Sequence, residues 1–326
     1  MEYTTLGRTG LKVGVAGLGC GGFSRLGLGT GKSEADAVNL VREAFSLGVN
    51  LFDTAAVYGT EAVLGKALKV LPRDQVVVTT KAWIPQRSGG SAATRLTTSL
   101  DHSLKQLGTD YIDVFQLHGV APGAYNRVRE VLAPVLLDQQ AKGKIRFLGV
   151  NETGSTDAEH EMVQRAVEDG VWDVVMVAFH MMHQNARSLV FPRTSANGVG
   201  TLIMFAVRNI FSKPERLKAE LRQLAAQDKV ARWLAHAPNP LGFLVHSDGD
   251  GALSVPEAAY RFVRHEPGVD VVLFGTGDVE HLRANIASIL RPPLPEIDRR
   301  MLAKFFGHLV GVGLDPPDYM PGLSLH

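Results

Sequence analysis

The chain has 326 residues, 34 basic against 33 acidic side chains, a net charge of +1, 45% hydrophobic residues and one cysteine. That balance gives no electrostatic reason to expect a nucleic-acid partner, and the apolar content excludes wholesale disorder. A lone Cys20 forms no internal disulfide and supplies no thiolate metal site, and no apolar run approaches the length of a membrane span, so a soluble, cytoplasmic protein is expected.

In chain order, Tyr3 to Val15 around the turn Arg8-Thr9-Gly10 reads as a β-hairpin. Short β-rich runs then alternate with amphipathic helical runs. Ser33 and Asp36 form a capping pair before Val38, Val41 and Phe45 on one helical face, and Gly48 ends that helix. Leu96, Leu100, Leu104 and Leu107 repeat the pattern, with Gly108 as the stop. Strand ends are predicted at Cys20, Asp53, Lys81, His118, Asn151, Ala178, Phe205 and Gly275. All but the last are spaced by about 30 residues, the size of one strand–helix unit. The last gap holds a polar helical stretch, Pro214 to Leu234, read as part of an insertion over 214–236 in a long loop after the seventh strand. The fold class is therefore α/β, a (βα)8 TIM barrel in one domain over 1–326, with an N-terminal hairpin and a Gly- and Pro-rich C-terminal flap over 309–326.

Several motifs invite other chemistry. Gly17-Leu18-Gly19-Cys20-Gly21-Gly22 has dinucleotide-loop spacing, but no helix opens directly after it. Gly29-Thr30-Gly31-Lys32-Ser33 ends like a phosphate loop, yet Leu26 stands where the first glycine belongs. His180 and His183 are two loop histidines, expected to be solvated or hydrogen-bonded, without a third ligand at metal spacing. Asp248-Gly249-Asp250-Gly251 reads as a surface turn. No metal is expected.

Asp53, Tyr58, Lys81 and His118 fall at or just beyond strand ends, where a barrel gathers catalytic groups. Asp53 and Lys81, each unfavourable alone at the end of an apolar strand, compensate each other. A Tyr beside such an ammonium has its phenolate favoured; lowering its pKa by about two units corresponds to about 3 kcal/mol. It can then exchange a proton with a carbonyl or alcohol oxygen that His118 orients.

These residues, with Gly48–Gly65 (Asp53-Thr54-Ala55 and Tyr58-Gly59-Thr60-Glu61 within it), Thr80-Lys81, Asp113–His118 and Gly143–Val150, resemble the aldo-keto reductase family in order and spacing over nearly the whole chain. The resemblance implies a barrel that binds NAD or NADP without a dinucleotide-binding domain. It also implies Tyr58 as general acid or base, Lys81 held by Asp53 to lower its pKa, and His118 placing the oxygen of a small carbonyl or alcohol substrate. Cofactor contacts are expected at Gly22, Asp53, Asn151, Met176, Met204, Phe205, Arg208, Gly275, Thr276, Gly277, Asp278, His281 and Asn285, with Lys213 as a further cation in the long loop. Asn151-Glu152 replaces the family's usual Ser-Asn, Met176 its Gln, and Met204 the aromatic that covers nicotinamide. Asp278 stands where a cation usually meets the 2′-phosphate, which favours NAD against the family's usual NADP. Phe23, Trp83 and Tyr319 are expected to line the substrate pocket, with Met320 beside the last. The competing possibilities are a sensor or auxiliary subunit of the same fold with little turnover, and a metal hydrolase using His118, His180 and His183.

Overall fold

The computed structural model describes residues 1–83, 91–248 and 250–314. Tyr319 and Met320 lie outside the described residues. Eight parallel strands close into a barrel: β3 (Ala16–Gly19), β4 (Leu51–Asp53), β5 (Val77–Ala82), β6 (Ile112–Val120), β7 (Ile145–Glu152), β8 (Val174–Ala178), β9 (Gly200–Met204) and β10 (Val271–Phe274), with β10 pairing back to β3. The predicted hairpin is present as β1 (Tyr3–Thr5) and β2 (Lys12–Gly14), turning through Gly10 at φ 70°.

The helices form where the apolar spacing and caps place them. Ser33 and Asp36 make a reciprocal capping box on helix Glu34–Ser46, which buries Ala37, Leu40, Val41 and Ala44. Ser91 caps Ala92–Leu107, which buries Leu96, Leu100 and Leu107 and ends on Gly108 at φ 63°. The insertion after β9 folds as two helices, Pro214–Ala226 and Arg232–His236, where the sequence suggested one helical stretch. Helix Val255–Arg264 then carries the chain back to β10.

Two apolar cores result. One fills the shell between strands and helices. The other plugs the barrel interior, where Leu6, Leu11 and Val13 of the hairpin region meet Leu51, Val77, Val114, Val174, Met176, Leu202 and Val271. Because strand residues alternate, the same period carries Asp53, Thr79, Lys81 and Gln116 inward above this plug. The site therefore sits at the C-terminal end of the strands. Among the described residues no helix is long and apolar enough to cross a membrane.

Candidate active site

Lys81 Nζ lies 2.7 Å from both carboxylate oxygens of Asp53 and 3.0 Å from the Thr54 carbonyl oxygen. Lys81 is fully buried and Asp53 is 4% exposed. Burial pushes the Asp53 carboxyl up, opposed by the Lys81 ammonium and the Thr79 hydroxyl, which donates to Oδ1 over 3.0 Å.

Tyr58 closes a 3-10 turn, Ala56–Tyr58, that ends on Gly59 at φ 68°. Its ring centroid is 5.2 Å from Lys81 Nζ and 5.7 Å from the His118 ring, edge to face. Two features that the sequence reading missed hold this ring. Arg25 Nε donates to the Tyr58 backbone carbonyl over 2.8 Å, and Gly21 approaches the ring so closely that a β-carbon there would lie 2.5 Å from Cε2. A mouthful of glycines signals close approach of backbone to something, but not to which side chain.

His118 sits beside a bulge in β6, where the register shifts between Leu117 and Val120. Such a bulge re-aims the side chain next to it. Burial, followed by the charge of Lys81, lowers its pKa to about 3, so the imidazole is neutral. Its buried Nδ1 has no partner among the described residues. The bulge also frees the Gly119 N–H, which donates to Asn151 Oδ1 over 3.0 Å. Among the described residues Asn151 Nδ2 meets only the soft Met204 sulfur, 3.6 Å away, a weak acceptor that a ligand amide can replace.

The other expected contacts divide. Met176 packs into the inner core, while Met204 borders it. Phe205 adopts a left-handed backbone, φ 72°, with the Arg208 guanidinium 4.3 Å from its ring centroid. Lys213 is exposed. Phe23 is 77% and Trp83 39% exposed at the mouth. Gly22 is open and Asn285 half-buried.

At Gly275-Thr276-Gly277-Asp278 the electrostatics differ from the sequence expectation. Asp278 caps helix Val279–Ile289 by accepting from the Glu280 and His281 amides. It also pairs with Lys32 over 3.2 Å. Those amides are thus already occupied, and the carboxylate is not a bare negative charge. Lys32 comes from the Gly29–Ser33 stretch that ends like a phosphate loop, and Gly27 just before it packs against Gly277. Arg283 is held by Glu43 and Glu280.

Glu152 also differs. It is buried behind the strand, accepting from the Ala178 amide over 2.7 Å and pairing with His160 Nδ1 over 2.8 Å. Successive strand residues face opposite ways, so Glu152 points away from the mouth that Asn151 faces. His180 and His183, expected as solvated or hydrogen-bonded loop residues, are fully buried. Their Nδ1 atoms accept from the Met182 and Gly311 amides, which leaves the hydrogen on Nε2 and no lone pair there for a metal. The start of the C-terminal segment covers them: Leu309, Val312 and Leu314 are buried.

The family model for the aldo/keto reductase family matches residues 17–305. L-galactose dehydrogenase of Arabidopsis thaliana is 36% identical over 209 residues, covering 62% of this chain and 64% of that protein. NADH-specific methylglyoxal reductase of Escherichia coli is 29% identical over 206 residues, covering 54% of this chain and 61% of that one. The match thus spans under two thirds of the length of either relative. Among solved structures, the holo form of aldo-keto reductase AKR11C1 from Bacillus halodurans superposes with a TM-score of 0.69 at 21% identity, over 93% of this chain and 96% of that one.

Proposed function

The chain belongs to the aldo/keto reductase family, and on that premise we propose that it is an NAD(P)-dependent oxidoreductase interconverting a small aldehyde, ketone or sugar and its alcohol at Asp53, Tyr58, Lys81 and His118. The observation that carries this reading is the buried, bidentate Asp53–Lys81 pair under a half-buried Tyr58 ring.

Bound nicotinamide supplies or takes the hydride. Everything else falls to the chain. The Tyr58 hydroxyl gives a proton to the carbonyl oxygen during reduction and takes one from the alcohol during oxidation. Lys81 offsets the negative charge that the phenol oxygen then carries, and Asp53 keeps Lys81 in place. His118, neutral, can hydrogen-bond the substrate oxygen without competing for its proton. The mouth residues fit the nicotinamide end: the Asn151 amide, met only by the Met204 sulfur among the described residues, would donate to the carboxamide, and Met204 or Phe205 would cover the ring.

For the adenosine end we favour NAD. Lys32 is paired with Asp278, and Arg283 with Glu43 and Glu280, so these two cations already have carboxylate partners and neither is spare for a 2′-phosphate. The NADH-specific methylglyoxal reductase among its relatives points the same way. The sensor alternative is motivated by the altered carboxamide contacts; of these, Glu152 is bound to His160 behind the strand and does not reach the mouth.

Fluorescence titration with NADH and with NADPH, followed by a panel of small aldehydes and sugars, tests the reading. NADH is expected to bind and be oxidised; strong preference for NADPH overturns the choice of cofactor. Tyr58→Phe should bind cofactor as before while turnover falls at least about a hundredfold. Turnover near that of the unmodified protein would place the proton donor elsewhere.

A further inference from the structure

The barrel interior directly beneath the ion pair is polar. Thr79 on β5 and Gln116 on β6 are both fully buried. Gln116 Nε2 lies 2.7 Å from Thr79 Oγ1, which lies 3.0 Å from Asp53 Oδ1. Hydrogen-bond chemistry sets the direction of this chain. An ionised carboxylate only accepts, so the single Thr79 hydrogen goes to Asp53, and the amide must donate to Thr79. With the amide reversed, one hydroxyl hydrogen would face two acceptors and one close contact would hold no proton.

Space for this arrangement is made on the next strand. Gly149 is the register partner of Gln116, and a β-carbon there would lie 2.6 Å from Gln116 Cγ. Gln116 Oε1 is left buried without a partner among the described residues, a desolvation cost that Leu or Met at the same position would not incur. A polar chain retained against that cost, and aimed at one carboxylate oxygen, is more than packing.

We propose that Thr79 and Gln116 are positioning residues for the proton-transfer step: Gln116 orients the Thr79 hydroxyl, which keeps Asp53 ionised and turned toward Lys81, so that Lys81 keeps its charge near Tyr58. The proposal rests on the catalytic reading of Tyr58 given above. The groups around the Asp53–Lys81 pair are Thr79 from β5, Cys20 after β3, Thr54 and Tyr58 after β4, and His118 from β6. Lys81 and Thr79 are the donors to its carboxylate among the described contacts, and the Cys20 thiol is directed to the Leu18 carbonyl instead.

The test is a phenolate absorbance titration of the full-length protein without cofactor, with Tyr58→Phe subtracted to isolate Tyr58. Thr79→Val should move the Tyr58 transition up by at least about half a pH unit. Gln116→Leu should move it less, and Thr79→Ser, which keeps the hydroxyl, should restore it. Alcohol oxidation at neutral pH should fall roughly tenfold in Thr79→Val, the loss of one hydrogen bond to a charged group, with KM unchanged. If Thr79→Val loses its fold by circular dichroism, Gln116→Leu decides by the same criterion. Transitions that coincide with wild type, while Tyr58→Phe is inactive, overturn this proposal alone. A fully active Tyr58→Phe, or a wild-type Tyr58 that titrates like a free tyrosine, overturns the catalytic reading and this proposal with it.

Discussion

A β-carbon on Gly21 would lie 2.5 Å from Tyr58 Cε2 and 2.8 Å from Cζ, closer than any real contact. Tyr58 is half-buried at the mouth, so the ring can yield where the backbone cannot. Gly21→Ala should therefore leave the melting temperature near wild type while turnover falls about a hundredfold, the usual cost of misplacing a reacting group by about 1 Å. Unchanged turnover would show that the ring has room this geometry denies. Of the candidate site residues, Asp53 and Lys81 were legible in the sequence because each breaks a local rule, a carboxylate and an ammonium at the ends of apolar strands demanding compensation, and Tyr58 and His118 because they fall at the same end of the barrel as that pair. Thr79 and Gln116 break none, since Thr suits a strand and a single Gln in Asp113–His118 reads as tolerance. Their meaning lies in which neighbour they face, and that depends on the register of β5 with β6.

At the scale of an element, the turn after β8 and the loop after β7 share a buried polar cluster with opposite responses to pH. Burial is the main cause lowering His180 to about 3 and His183 to about 2. The unfolded chain protonates both near 6.5, so it binds more protons than the folded one below that value. Stability is thus present above about pH 6.5 and lost as pH falls toward 3, by about 1.4 kcal/mol per pH unit for each histidine. His160 has the reverse sign. Burial alone would lower it, but the Glu152 carboxylate and the hydrogen bonds that the ring donates to Glu152 and Asn185 raise it above its ordinary value. Its contribution is full below about pH 6.5 and lost as pH rises through its folded value. Stability should therefore peak near neutrality. His183→Asn puts an acceptor where Nδ1 takes the Gly311 amide and removes the titration. Urea unfolding between about pH 4.5 and 6.5 should then show an acid limb shallower by about one proton. Equal slopes in variant and wild type would mean that His183 is protonated in the fold. None of this was legible from His180-Met181-Met182-His183, because nothing local says that residues 309–314 bury the pair.

For the whole molecule, the predicted strand ends fall at or within two residues of the observed ones, from Cys20 just after β3 to Gly275 just after β10. Strand–helix periodicity carries that information because each unit buries its own faces locally. What periodicity cannot carry is how distant segments are tied together outside the barrel, and there one residue dominates. Arg261, fully buried in helix Val255–Arg264, donates to the carbonyls of Asp250, Gly251, Pro292 and Pro293 and to the Glu257 carboxylate. The guanidinium fork has five donors, and all five are used. It joins the loop that precedes helix Val255–Arg264, that helix itself and the segment before helix Glu296–Phe306. Lysine keeps the charge but offers only three donors on a flexible stem, so at least two of these acceptors lose their partner. Arg261→Lys should lower stability by about 2–4 kcal/mol in urea unfolding, since each buried group left unpaired costs about 1–3 kcal/mol. Turnover measured well below the melting transition should stay at the wild-type level, because no described contact links Arg261 to Asp53, Tyr58, Lys81 or His118. A loss of turnover without a loss of stability would mean that the frame and the mouth are coupled. The opposite outcome assigns the two tasks to different parts of one chain: anchorage to the helix layer, proton transfer to the strand ends.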